Sequence, residues 1–381
     1  MQWTNGKFCG KRRQDGVRNG DHQMIDAIGF LIELLEIPSP SGEERKLASF
    51  LAKRLEEWGY QAYVDRAGNV VAQLGEGKPT ILLASHVDTV PGFLPVREEN
   101  GRIFGRGAVD AKASVAAMAV AGAEAFRLKL NGKIIFAGVV EEETSLKGIQ
   151  TLLEELPHID YAIFGEPTGL SKVCLASKGR LLLKIDVHTA SGHVACSWMY
   201  KNAVEEAFSL WLLLKNALSN TGNSYFSSVI PNVTALQGGT APNVVPEHCS
   251  FYVDVRFPPN VSSAHLLGVS RKVIESFEKN SRVKVNYSVL SQIEGFRANR
   301  RSKLVEALTR AIREELGDDA KFIKKTGTCF MNLIGKWFNV PVVGYGPGDP
   351  VLEHTEEESI QVKQYLAAIR VLVKTAHSVL S

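Results

Sequence analysis

The sequence predicts an α/β protein with a mixed sheet in its larger domain and an inserted α+β unit of ferredoxin-like order. Two observations carry this. Short, nearly continuous apolar runs at 80–84, 133–140 and 161–164 alternate with segments of helical period, as strands buried on both faces do in a layered α/β sheet. Between 181 and 289 the order of elements becomes β-α-β-β-α-β, after which the helical pattern returns.

Taken in order, the first helix is read from Asp26, with Ile28, Leu31, Ile32 and Leu35 on one face and Pro38 closing it. A second opens near Ser41-Gly42-Glu43-Glu44, with Ser41 or Gly42 as its N-cap and Leu47, Phe50, Leu51 and Leu55 apolar. Strands follow at 69–72 and 80–84, an alanine-rich helix at 108–126, a strand at 133–140, a helix at 152–156 and a strand at 161–164. The inserted unit reads as strands at 181–188, 227–236, 249–257 and 283–289, with helices at 204–218 and 263–279. A helix at 304–316, a strand at 340–343 and a helix at 360–380 complete the chain. The expected boundaries are therefore 24–176 with 290–381 for the larger domain and 177–289 for the insert. Residues 1–23 have no periodicity and are expected to be a disordered leader.

Length and composition agree with two domains. A chain of 381 residues exceeds the roughly 250–300 at which single cores stop growing. Composition is that of an ordinary globular protein, 45% hydrophobic and 22% charged. No run reaches the ~18 apolar residues of a membrane span, and the N-terminus has no apolar signal-type stretch. Five cysteines, odd in number and without a CxxC pair, point to reduced thiols and a cytoplasmic location. The net charge of +3 equals that of the leader alone, where Lys7, Lys11, Arg12, Arg13 and Arg18 face Asp15 and Asp21. The remainder is neutral, so neither nucleic acid nor an anionic membrane is an expected partner.

The chemistry is carried by residues placed just past apolar runs or glycine turns: His86 and Asp88, Asp110, Glu142 and Glu143, Glu166, and His354. Each has a plainer explanation alone. His86-Val87-Asp88 could be a capped strand end, Asp110 a helix N-cap and Glu141-Glu142-Glu143 a solvated turn. Together, two imidazoles and several carboxylates form the donor set that borderline divalent cations take. A carboxylate two residues from a histidine can hold the far ring nitrogen, and packed glutamates repel unless something positive lies between them. The late Gly344-Tyr345-Gly346-Pro347-Gly348 run opens no helix, which excludes a dinucleotide fingerprint, and neither a GxSxG elbow nor a phosphate-binding P-loop is present.

The motifs SHVDTVPG, GRGAVDAK, EEETSLKG, GEPTG and EHT stand in an order that resembles the M20 family of metallopeptidases over about residues 25–380. That resemblance implies a metallohydrolase catalytic domain, two divalent ions (Zn²⁺ and/or Co²⁺), and an insert that serves as dimerisation or lid domain of a homodimer. It places His86 and Glu166 on one metal, Glu143 and His354 on the other, and Asp110 between them. Asp88 orients His86, and Glu142 is the general base. His193, in Ser191-Gly192-His193-Val194, is implied to reach the neighbouring subunit's site and stabilise the oxyanion; Asn243, Arg256, Gly327 and Thr328 match the substrate-carboxylate positions. The segments KTGTCFMNL and VVGYGPGDPVLEHTEEE look like the branch that frees lysine, and often ornithine, from the acidic amino-group carrier protein LysW. Other members imply other substrates: N-acetylornithine or N-acetyl-lysine, succinyl-diaminopimelate, dipeptides or acylated amino acids. A metal-binding dimer without turnover is the remaining alternative. One departure stands out, since Cys329-Phe330 occupies a position where members commonly carry Ser-Asp, which bears on side-chain preference.

Overall fold

The computed structural model describes residues 25–381; the expected leader and Cys9 lie outside them. The larger sheet runs in the order Gln61–Val64, Val70–Gly75, Lys133–Val139, Thr80–His86, Tyr161–Gly165, Val342–Gly344, Lys172–Ser177, Phe296–Arg297, with Lys321–Lys325 pairing in parallel with Lys172–Ser177. Its centre is parallel: Thr80–His86 lies between Lys133–Val139 and Tyr161–Gly165, and Tyr161–Gly165 also pairs in parallel with Val342–Gly344. The strand Thr80–His86 is buried along its whole length, which is why its sequence reads as a continuous apolar run. Helices Ala27–Glu36, Arg45–Glu57, Lys112–Arg127, Lys147–Glu155, Lys303–Leu316, Phe330–Phe338 and Val362–Leu380 belong to the same hydrophobic core.

From Gly179 to Ile293 the chain builds a second, wholly antiparallel sheet in the order Ile230–Gly238, His248–Phe257, Gly179–His188, Lys284–Ile293. Leu181, Leu183, Ile185 and Val187 alternate on one face of Gly179–His188 and are buried. Helix Ala203–Leu218 meets that face through Ala207, Leu210 and Leu214, and Ser263–Ser281 through Leu266, Ile274 and Phe277; together they make a separate core. The opposite face, with Arg180 and Leu182, looks toward the larger sheet.

Several local expectations are corrected. The alanine-rich helix starts at Lys112, not Ala108. The backbone N–H groups of Gly107, Val109 and Asp110 donate instead to the Glu358 carboxylate, each at 3.0 Å, so the chain there wraps an anion before it coils. The second helix starts at Arg45 after Glu44, because Ser41 donates its hydroxyl to Asp88 at 2.7 Å rather than capping. Strands Lys172–Ser177 and Lys321–Lys325 and helix Phe330–Phe338 were not expected from the sequence. The KFIKK run carries three lysines in five residues, and only its pairing with Lys172–Ser177 makes it a strand.

Candidate active site

The site lies at the carboxyl ends of the parallel strands, where α/β sheets place their ligand crevices. His86 is the last residue of Thr80–His86, and Glu142 and Glu143 follow Lys133–Val139 after Val140 and Glu141. Glu166 follows Tyr161–Gly165, and Asp110 reaches in from the loop that precedes helix Lys112–Arg127. His354 arrives from the loop after Val342–Gly344.

Asp110 is the hub. Its Oδ1 lies 3.0 Å from His86 Nε2, and its Oδ2 lies 3.0 Å from His354 Nε2. His354 Nε2 is also 2.9 Å from Glu143 Oε1. Donor atoms of His86, Asp110 and Glu143 all fall within 4.8 Å of one another. Burial works against the Asp110 charge, but hydrogen bonds from His354 and His86 outweigh it and hold the carboxyl far below its usual range. The same contact with Asp110 lifts the His354 imidazole to about 9. On the far side of His86, Nδ1 lies 3.1 Å from the Asp88 carbonyl oxygen and 3.4 Å from its carboxylate. Asp88 itself is fully buried.

Glu166 meets a protein cation: Lys325 Nζ donates to its Oε2 at 2.6 Å. This contact, supplied by an unforeseen strand, leaves the other carboxylate oxygen for a further partner. Glu142 faces the cleft next to this cluster. Burial raises its carboxyl to about 8; the charge of His86 opposes that, while Glu166, Glu143 and Asp110 add to it. Glu353 is raised to about 7, first by burial, and its Oε1 is buried with no hydrogen-bond partner. Two imidazoles, a run of crowded carboxylates and an orphaned buried oxygen are a donor set that fits divalent cations and is poorly satisfied by protons.

The backbone is bent to serve this arrangement. Glu141 (φ 56°) and His354 (φ 62°) both occupy the left-handed region without being glycine. The turn at Glu141 aims the next two N–H groups at Asp88. Its own N–H donates to the buried Glu44 carboxylate at 3.0 Å. Glu44, Glu358 and Lys325 escaped the sequence reading because their partners are distant in the chain. The signal that was available for Glu358 is a glutamate that follows EHT and ends in a strand.

Of the other expected residues, the structure brings Arg256 and Thr328 together at 3.3 Å, and both line the cleft with Glu142. Gly327 lies exposed in the same loop. Cys329 is buried there too, its thiol pushed well up by burial and then by Glu166. His193 and Asn243 are neighbours on a short ribbon in which Gly192–His193 pairs with Val244–Val245, and both are exposed. Among the described residues, no hydrogen bond or ion pair joins them to the Asp110 cluster of the same chain.

A two-unit α/β frame with imidazoles and carboxylates gathered at the strand ends defines a metal-dependent hydrolase. The chain belongs to Peptidase family M20/M25/M40, whose pattern matches residues 82–378. It is 35% identical over 352 residues to a Pyrococcus abyssi protein that bears the name [LysW]-lysine/[LysW]-ornithine hydrolase provisionally, covering 91% of this chain and 92% of that one. It is 32% identical over 352 residues to the [LysW]-lysine hydrolase of Deinococcus radiodurans, covering 89% and 93%. Among solved structures, aminopeptidase PepT from Bacillus cereus superposes with a TM-score of 0.80 at 21% identity, covering 93% of this chain and 98% of that chain. That likeness is one of fold. Among the described residues, no helix is long and apolar enough to cross a membrane.

Proposed function

We propose that this hydrolase is a two-metal enzyme that releases lysine, or ornithine, from the γ-carboxyl of the terminal glutamate of the carrier protein LysW. The observation that carries the chemistry is Asp110, whose two oxygens each meet a different imidazole at 3.0 Å. The names of the relatives support the substrate.

In this reading His86 and Glu166 hold one divalent cation and Glu143 and His354 the other, with Asp110 shared. The mixed imidazole and carboxylate set suits Zn²⁺ and/or Co²⁺. When bound, such a pair polarises the scissile carbonyl and makes water a competent nucleophile near neutral pH. The chain's own groups do the rest. Lys325 keeps one oxygen of Glu166 occupied, so Glu166 offers the other. Asp88 holds His86 from behind. Glu142 takes a proton from the attacking water and delivers it to the leaving amine. Arg256, Gly327 and Thr328 receive a substrate carboxylate across the cleft.

His193 and Asn243 act on the site of a second subunit, His193 as a hydrogen-bond donor to the oxyanion. A homodimer is supported by the apolar surface of the inserted unit, where Phe208, Leu212 and Leu213 are exposed on one helix and Trp198 is 80% exposed near His193. Reduced cysteines and a neutral body fit a cytoplasmic enzyme.

The test is to incubate zinc- or cobalt-loaded protein with lysine-charged carrier and, separately, with N-acetylornithine, following release by mass spectrometry. Lysine freed from the carrier with N-acetylornithine untouched is the expected result. Cleavage of N-acetylornithine alone moves the enzyme to the small-molecule deacetylases, and cleavage of neither removes the proposal.

A further inference from the structure

Arg180 and Arg256 are direct cross-strand partners in the antiparallel pair Gly179–His188 and His248–Phe257. Like charges set opposite each other on one sheet face repel. Asp254, two residues before Arg256 and therefore on the same face, sits between them. It accepts from Arg180 Nε at 2.8 Å and from Arg256 Nε at 2.6 Å. One carboxylate against two guanidiniums leaves a positive charge over. Both side chains line a cleft of about 460 Å³ together with Glu142, Glu143 and Thr328. The terminal nitrogens of Arg256 already meet Thr328 and Asp254, each at 3.3 Å. Those of Arg180 have no protein partner among the described residues, and its side chain is 35% exposed. A guanidinium fixed by its Nε edge, with its other edge open to a cleft, is arranged to take an anion in bidentate fashion.

We propose that Arg180 is a second carboxylate anchor beside the position already read for Arg256 and Thr328, so that the cleft takes an amide flanked by two free carboxylates, one on the acyl side and one on the amine side. The proposal rests on the amide-hydrolase reading above. In that reading both groups exist: the α-carboxylate of the carrier's terminal glutamate and the α-carboxylate of the amino acid released. Arg256 with Thr328 takes one and Arg180 takes the other. Asp254 is the positioning residue that holds the two forks apart and in register. The neutral walls supplied by Leu182, Leu290 and Ser291 leave these cations as the polar anchors on the inserted-sheet side.

The experiment uses the full-length, zinc-loaded enzyme and a short acetylated peptide ending in γ-glutamyl-lysine. Two analogues carry one or the other free carboxylate as a primary amide. Arg180→Met is expected to raise KM for the diacid by about tenfold or more, with a much smaller change in kcat, and to add no loss on one of the two amides. Arg256→Met should show the same insensitivity on the other amide, and Arg180→Lys should recover part of the KM. Equal effects of Arg180→Met on all three compounds, or none, would overturn the subsite. If the wild-type enzyme cleaves none of them, the hydrolase reading fails. Calorimetry with the uncleaved γ-glutamyl-lysine peptide, which carries both carboxylates, then decides the subsite: weaker binding by Arg180→Met keeps it, and equal binding removes it.

Discussion

The Asp88 carboxylate accepts the backbone N–H of Glu142 through Oδ1 at 3.0 Å, and its second oxygen accepts the N–H of Glu143, also at 3.0 Å. The same group lies 3.4 Å from His86 Nδ1 and accepts the Ser41 hydroxyl. Burial alone would raise this carboxyl, but contact with His86, Ser41 and the Glu143 N–H holds it below the ordinary range. A single buried anion thus sets the position of an imidazole and of the two glutamates that follow. Asp88→Asn keeps the shape but turns a donor toward one of those N–H groups. Metal affinity, read by competition with a chelator, and kcat are each expected to fall about 10–100-fold; unchanged values would separate Asp88 from the site.

Glu142 is the carboxylate of the Glu142–Glu143 pair that no histidine engages directly, and it opens on the cleft. As the proton carrier it should be dispensable for metal binding and indispensable for turnover. Glu142→Gln is expected to lower kcat by about 10²–10⁴-fold with metal content unchanged by mass spectrometry. A normal rate would move the base elsewhere, and loss of metal would make Glu142 a ligand.

Much of this site was legible in the sequence because strand ends are. Continuous apolar runs mark the buried strands, and polar residues within a few positions of each run's end emerge at the crevice, as His86, Glu142 and Glu166 do, while Glu141, which breaks the 133–140 run, turns away to Ser145 and Lys147. The inserted unit was legible for a similar reason: alternation at 181–188 and helical spacing at 204–218 are local patterns. What stayed hidden depends on long-range pairing. Glu358 lies in an acidic run whose residues look alike in sequence, yet it alone is buried, at 1% exposure. Lys325 belongs to a strand that exists only through its neighbour. Arg180 becomes notable only when the register sets it opposite Arg256.

Glu358 supplies a test of that hidden layer. Its carboxylate accepts three backbone N–H groups of the 107–110 loop and pairs with Arg106 at 2.8 Å. Glu358→Ala leaves those three donors without this acceptor and takes the paired carboxylate from a largely buried guanidinium, which keeps the Gly92 and Thr355 carbonyl oxygens. The expected cost is about 3–5 kcal/mol in urea unfolding, together with weaker metal binding as Asp110 loses its anchor. A stability change near zero would contradict this role.

His193 and Glu142 lie in different parts of one chain, with no contact between them among the described residues. If His193 serves a partner's site, two inactive variants should rescue each other. Mixing Glu142→Gln with His193→Ala under subunit-exchange conditions is expected to regenerate activity, since a mixed dimer holds one intact site. Mixtures no more active than the separate variants would place His193 outside a shared site.

The most direct test of the account is anomalous diffraction at the zinc edge from crystals of the zinc-loaded protein. The account predicts two peaks roughly 3.5–4 Å apart, one on either side of the Asp110 carboxylate. One would lie against His86 and Glu166 and the other against Glu143 and His354. A single peak, or metal bound away from Asp110, would contradict it.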